Sequence, residues 1–185
     1  MTLRLDRVPM ADAVARRTFF EQLRSPLLEV PSLGGMRSSP AVALWTAPFA
    51  VALRNGIAAE AFPKGWRAFA FDLQNAIAAD LVVAGDEIVA SRAFGDSSAR
   101  ATVEAIAIAE DLAGSEQDVE VRILDIPSLF FTGVWVLAAQ SRCIEIHDDG
   151  GPTVRDAADL FAELALFAEA RLAASETAAS SLKSP

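Results

Sequence analysis

The sequence predicts an α+β domain: an antiparallel sheet of about five strands packed with helices, preceded by a helical N-terminal extension. Three observations carry this. The run "DLVVAGDEIVASRAF" reads as two strands around a tight turn at Ala84-Gly85-Asp86. Two stretches, near 98–113 and 152–174, repeat apolar residues at helical spacing. Between them, "EVRILDI" alternates, and "IPSLFFTGVWVLAA" follows with no charge from Ile126 to Ala139.

Taken in order, residues 9–24 read as a helix, with Pro9 in its first turn and Met10, Val14, Phe20 (or Phe19) and Leu23 on one face. Three prolines and the pair Gly34-Gly35 make 25–40 a loop or arm. Ser39-Pro40 resembles an N-cap and first-turn proline, so "AVALWTAPFAVALRNG" is expected to be a second helix, kinked or stopped at Pro48. Trp66, Phe69, Leu73 and Ile77 predict a helix over 66–79, with Arg67 and Gln74 elsewhere on the wheel, although "RAFAFDL" alone alternates like a strand. After the hairpin, Ser97 or Ser98 is placed to cap a helix whose apolar positions are Val103, Ile106, Ile108 and Leu112, and Gly114 ends it. The strands "EVRILDI", about 129–138, and "RCIEIH" follow. Thr153 and Asp156 then form a box-like cap on a long helix striped by Ala157, Phe161 (with Leu160), Leu164, Phe167 (or Ala168) and Leu172 (or Arg171). The domain plan is an extension over 1–60, a core over 61–175 and a flexible tail over 176–185.

From residue 66 the expected order is helix, strand, strand, helix, three strands, helix. In element order this resembles roadblock/longin-type and profilin-type domains, which serve largely as regulatory or scaffolding modules and often pair. The resemblance is one of element order, and fold alone does not fix function.

Composition bounds the function. Of 185 residues, 52% are hydrophobic and 22% charged, which is the balance of a globular chain able to bury a core. The lone cysteine, Cys143, permits no intramolecular disulfide, and charges interrupt the first 17 residues as they do not in a secretory leader; a cytoplasmic, bacterial protein is expected. Fourteen Arg against two Lys, with abundant Ala, point to a GC-rich bacterial gene. The net charge of −9 is uneven: residues 1–60 carry seven Arg against five acids, and 61–185 carry nine bases against twenty acids. An acidic body disfavours tracking nucleic-acid phosphates or docking on anionic lipid, so neither partner is expected.

The uncharged run is shorter than the roughly 20 residues of a membrane span and contains Pro127 and Gly133. Read as a strand it is apolar on both pleats: Leu129, Phe131, Gly133, Trp135 and Leu137 on one, Phe130, Thr132, Val134, Val136 and Ala138 on the other. The two helices near 98–113 and 152–174 are expected to cover one side. Residues 1–60 or a second protein must then cover the other, because several wet Phe- or Leu-sized groups form a patch monomers rarely keep.

Candidate chemistry concentrates in "RCIEIHDDGG". Cys143, Glu145 and His147 share a strand face, which reads as a metal site, a Cys-His nucleophile pair or a solvated edge strand. Strand spacing sets Cys143 and His147 about 13 Å apart, too far for proton transfer, and the chain offers no other Cys or His to complete a zinc set. Asp148-Asp149-Gly150-Gly151 lacks the calcium-loop spacing and reads as a turn feeding the helix at Pro152–Thr153. Gly34-Gly35 with Arg37 and Ser38-Ser39 matches no phosphate-binding pattern. No catalytic residue, metal or cofactor is assigned. The expected function is a non-catalytic protein-interaction or scaffold module that pairs with itself or another protein through Phe130, Phe131, Val134, Trp135, Val136 and Leu137. The alternative is a small-molecule-binding or sensor domain whose apolar pocket lies between the sheet and the N-terminal helices, lined by Trp45, Phe49, Trp66 and Trp135.

Overall fold

A computed structural model describes residues 37–38, 42–47, 56–71, 76–84, 87–114, 119–147 and 151–181. The elements in chain order are β1 (Arg37–Ser38), β2 (Val42–Thr46), α1 (Ile57–Glu60), β3 (Phe62–Phe71), β4 (Ala76–Ala84), β5 (Glu87–Gly95), α2 (Asp96–Ala113), β6 (Glu120–Ile126), a 3₁₀ turn (Pro127–Leu129), β7 (Phe131–Leu137), β8 (Arg142–Glu145), β9 (Thr153–Asp156) and α3 (Ala157–Ser181). The α+β class is as expected. The sheet differs from the expectation in size and sense: among the described residues it holds nine strands, in the order β5-β4-β3-β2-β6-β7-β8-β9 with β1 beside β3. It is mixed, because β2 runs parallel to β6, pairing Ala43 with Arg122 and Trp45 with Leu124.

Three expected helices or caps are corrected. Within 66–79 the described residues, 66–71 and 76–79, are strand and not helix. Phe62–Phe71 and the start of β4 pair antiparallel, Phe69 opposite Ala78 and Phe71 opposite Ala76. Trp66 and Phe69 match a helical period by coincidence, and the β-rich "WRAFAF" follows its alternation instead. The "AVALW" segment is likewise a strand, central and buried at Val42, Ala43 and Leu44. Part of the expected N-terminal extension therefore belongs to the core sheet. Thr153 lies in a strand, and the long helix begins only after Asp156, whose Oδ1 accepts from the backbone N–H of Ala158 (3.0 Å) and Asp159 (3.4 Å). Asp156 alone is the N-cap. The same helix continues to Ser181, through the first residues of the expected tail. The element order thus departs from the roadblock- or profilin-like one at its first helix and by its added strands.

Other expectations stand. The β4–β5 hairpin pairs Ala84 with Glu87 across 85–86, which lie outside the described residues. Gly114 closes α2 at φ 51°, a left-handed value that glycine adopts without a Cβ clash. That helix begins at Asp96, which places Ser97 and Ser98 inside its first turn rather than before it. The expected helix over 9–24, most of the loop over 25–40 and Phe49 lie outside the described residues.

The two helices do not share a side. Ala99, Ala105, Ala109 and Ala113 of α2 pack with Leu44, Phe69, Ala78, Val121, Ile123, Val134, Val136 and Ile144. Leu160, Phe161, Leu164 and Ala168 of α3 pack with Leu124, Ile126, Phe131, Trp135 and Cys143 on the opposite face, joined by Ala47 and Ile57. Strand β7 is therefore covered on both pleats by this chain's own two helices, which corrects the expectation that both lie on one side and that residues 1–60 or a second molecule must cover the other. Among the described residues no helix is long and apolar enough to cross a membrane.

Candidate functional site

The residues expected to form an interface separate into three environments. Val134 and Val136 are core beneath α2, and Phe131 and Trp135 are core beneath α3. Trp135 is fixed twice over: its Nε1–H donates to Ser141 Oγ at 2.9 Å, and Phe161 meets it edge-on at 5.2 Å between ring centroids. Leu137, Trp45 and Trp66 are half-buried. Among the described residues of this set only Phe130 is out in solvent, with 85% of its surface exposed.

Phe130 owes that position to the backbone. The turn Pro127–Leu129 closes with the N–H of Phe130 donating to the Pro127 carbonyl at 3.1 Å. This leaves Phe130 left-handed, at φ 52° and ψ 36°, before β7 begins. A bulky side chain in that region is strained, and such strain persists where the surroundings impose it, often at binding sites. The expected strand start at 129 is thus displaced to 131, and Phe130 leaves the pleat that was to bury it.

The C-terminal half of α3 supplies the rest of the surface. Arg171 donates from Nη1 to the Ser128 carbonyl at 2.9 Å and lays its guanidinium over the Phe130 ring at 4.9 Å, with Phe167 at 6.0 Å. Phe167 is 47% exposed and Leu166, on the outer side of the same turn, 66%. Aromatic and arginine side chains gathered in this way have the composition of interface anchors. Leu166 and Arg171 as parts of a surface were missed from sequence. The signal for Leu166 was present, since it lies opposite the stripe of Leu160, Leu164 and Ala168 on the wheel. The partnership with Phe130 was not, because it spans 41 residues of chain.

A second arrangement lies under the sheet's α2 side. Arg67, 1% exposed, donates from Nε to Asp80 Oδ1 (2.5 Å) and from Nη2 to Asp80 Oδ2 (2.9 Å), and its Nη2 stands 3.8 Å from Asp125 Oδ2. Thr132 Oγ1 donates to Asp125 Oδ1 at 3.0 Å. A fork-on-fork pair of this kind ties β3 to β4, and Asp125 carries the tie to β6. Reading 66–79 as a helix put Arg67 on a wet side. The strand reading places it on the pleat of Phe69, which is how it could have been found.

The weak metal candidates do not converge. Cys143 is fully buried beside Trp135, and burial, with Glu145 adding to it and Arg155 opposing, pushes its thiol up to about 12. A thiol so held is not a thiolate at neutral pH and neither attacks nor ligates readily. Nor is β8 the edge strand it was expected to be, since β9 pairs beyond it, Cys143 opposite Arg155. Glu145 Oε2 stands 3.7 Å from both His147 Nε2 and Arg155 Nη1, an ordinary surface ion group. Among the described residues no three His, Cys, Asp or Glu side chains are placed to hold a metal.

On the α3 side, the Arg122 guanidinium lies between two indoles, 3.7 Å from the Trp45 ring and 5.3 Å from Trp135, and pairs with Glu120. The Trp45 Nε1–H is buried and meets no acceptor among the described residues. Compared with known proteins, the chain matches no family model, no curated protein and no solved structure.

Proposed function

We propose that this chain is a non-catalytic protein-interaction module of the cytoplasm that acts through the surface of Phe130, Leu166, Phe167 and Arg171. One observation carries the reading: a phenylalanine held left-handed and 85% exposed, with a guanidinium stacked on it that also approaches the exposed Phe167. Burial does not repay the strain at Phe130 within the chain, whereas contact with a partner would. The interaction surface differs from the one the sequence pointed to, since Val134, Trp135 and Val136 are committed to the core.

The test uses the full chain and a Phe130→Asp/Phe167→Asp variant that keeps its circular dichroism. Native mass and capture of host proteins are measured for both. The expected result is an association, with itself or with a partner, that the variant loses. An association left unchanged in the variant removes this surface from the function.

A second reading draws on the Trp45 indole N–H, a buried donor without an acceptor among the described residues, in the neighbourhood expected to line a small-molecule pocket with Phe49, Trp66 and Trp135. A co-purifying small molecule that quenches indole fluorescence, with quenching lost in Trp45→Phe, supports it. Unchanged fluorescence after denaturing extraction and refolding counts against it.

A further inference from the structure

We infer that the surface beside Phe167 receives a second copy of this chain, with the two α3 helices antiparallel; this rests on the interaction reading above and names its occupant. The placement of charge along α3 carries the inference. Glu163, Phe167 and Arg171 are spaced four residues apart, so they lie along one flank of the helix about 6 Å from one to the next. The exposed acids Asp159 and Glu163 stand toward the N-terminal end of this strip and Arg171 toward its C-terminal end. A parallel pairing sets Glu163 against Glu163 and Arg171 against Arg171. A two-fold axis passing beside Phe167 reverses the order, so that each Glu163 faces the Arg171 of the other copy while the two Phe167 rings meet near the axis. The match needs no shift of register, because Glu163 and Arg171 are equally far from Phe167 in sequence.

The neighbouring side chains suit that approach. Leu166 adds apolar area, and the exposed Ala170 and Ala174 allow the backbones to come close. Antiparallel helices also oppose their dipoles. Both charges are accessible: Glu163 pairs at the surface with Arg155 at 2.6 Å, and Arg171 is exposed over Phe130. One helix flank with Phe130 at its margin falls short of the roughly 800 Å² per partner of a standard interface, so the dimer is expected to be weak and concentration-dependent.

Sedimentation equilibrium of the full chain over a wide concentration range, at low and high salt, tests this. A monomer–dimer equilibrium weakened by salt is expected. Glu163→Arg and Arg171→Glu should each weaken it about tenfold, and the double reversal should restore it to within about threefold. Should a reversal unfold the chain, Glu163→Gln and Arg171→Gln read the same loss without reversing charge. A double reversal no better than the singles overturns the antiparallel pairing. A wild type monomeric throughout overturns the second copy as occupant and leaves the interaction reading to its own test against host proteins. A dimer unchanged in the single reversals and in Phe130→Asp/Phe167→Asp overturns both.

Discussion

The helices α2 and α3 cover opposite faces of one sheet and do so differently. The side of α2 against the sheet is built from small residues, Ala99, Thr102, Ala105, Ala109 and Ala113, all buried. Small contacts let helix and sheet approach closely, and the branched Val103, Ile106 and Ile108 fold in along the flanks. The α3 helix seats larger groups, Leu160, Phe161 and Leu164, over β6, β7 and β8, and keeps Leu166 and Phe167 outside. Of its large apolar side chains α2 leaves Leu112 exposed, at its C-terminal end, whereas α3 leaves both Leu166 and Phe167 outside. The contrast divides the molecule into a side that holds the fold and a side able to meet a partner.

The largest test of that division strikes the α2 side. Arg67→Leu leaves the Asp80 and Asp125 carboxylates without the guanidinium they share. Breaking a buried pair in this way costs about 3–5 kcal/mol, read as a lowered denaturation midpoint. If stability changes by less than a surface substitution would, the cluster is not what ties β3, β4 and β6 together. Next in size is overpacking: Ala105→Leu pushes methylenes into the buried helix–sheet contact and should cost about 1–3 kcal/mol, whereas Ala162→Leu on the exposed side of α3 should be nearly neutral. Equal effects from the two would erase the distinction between the helices.

The sequence made one half of this contrast legible and hid the other. Alternation in "EVRILDI" and helical spacing in 98–113 and 157–168 placed the elements that carry most of the core. The doubly apolar 131–137 correctly demanded cover on both faces. What could not be read was that the two helices take opposite sides, because a parallel β2–β6 pairing and a strand at 153–156 intervene, and neither has a local signature. The strand at 62–71 failed for a different reason: Trp66 and Phe69 satisfy helical and extended readings alike, and only pairing with β2 and β4 decides. Arg67 was lost with that decision, and Phe130 was expected on a sheet face rather than outside the sheet because left-handed backbone at a phenylalanine has no sequence cue.

Smaller effects sharpen the α3 side. Asp156→Ala removes the side chain that caps the N–H groups of Ala158 and Asp159 and should cost about 1 kcal/mol in thermal or denaturant unfolding. Asp156→Asn, which preserves a capping oxygen, should recover most of it. Leu166→Ser should change monomer stability by less than about 0.5 kcal/mol, since the side chain is mostly in water already. The same substitution should visibly weaken any association through this face, and a loss of stability without loss of association would return Leu166 to the fold.

The last test asks whether α3, for all its exposed surface, seals the sheet as tightly as α2. Cys143 lies beneath it with a thiol raised from an ordinary 9.0 to about 12. A folded-state value above the unfolded one means that the native state favours the protonated thiol. The corresponding stability is complete below the unfolded pKa and is lost as pH climbs from there toward about 12. Near neutral pH Cys143→Ser should therefore leave no pH dependence to remove. In mildly alkaline solution the wild type should lose stability with rising pH more steeply than Cys143→Ser does. A thiol-alkylating reagent at neutral pH should label the native chain slowly and the denatured chain at once. Rapid native labelling would mean that α3 lifts from β7 and β8 readily, and the difference between the two helices would then be one of dynamics as well as of surface.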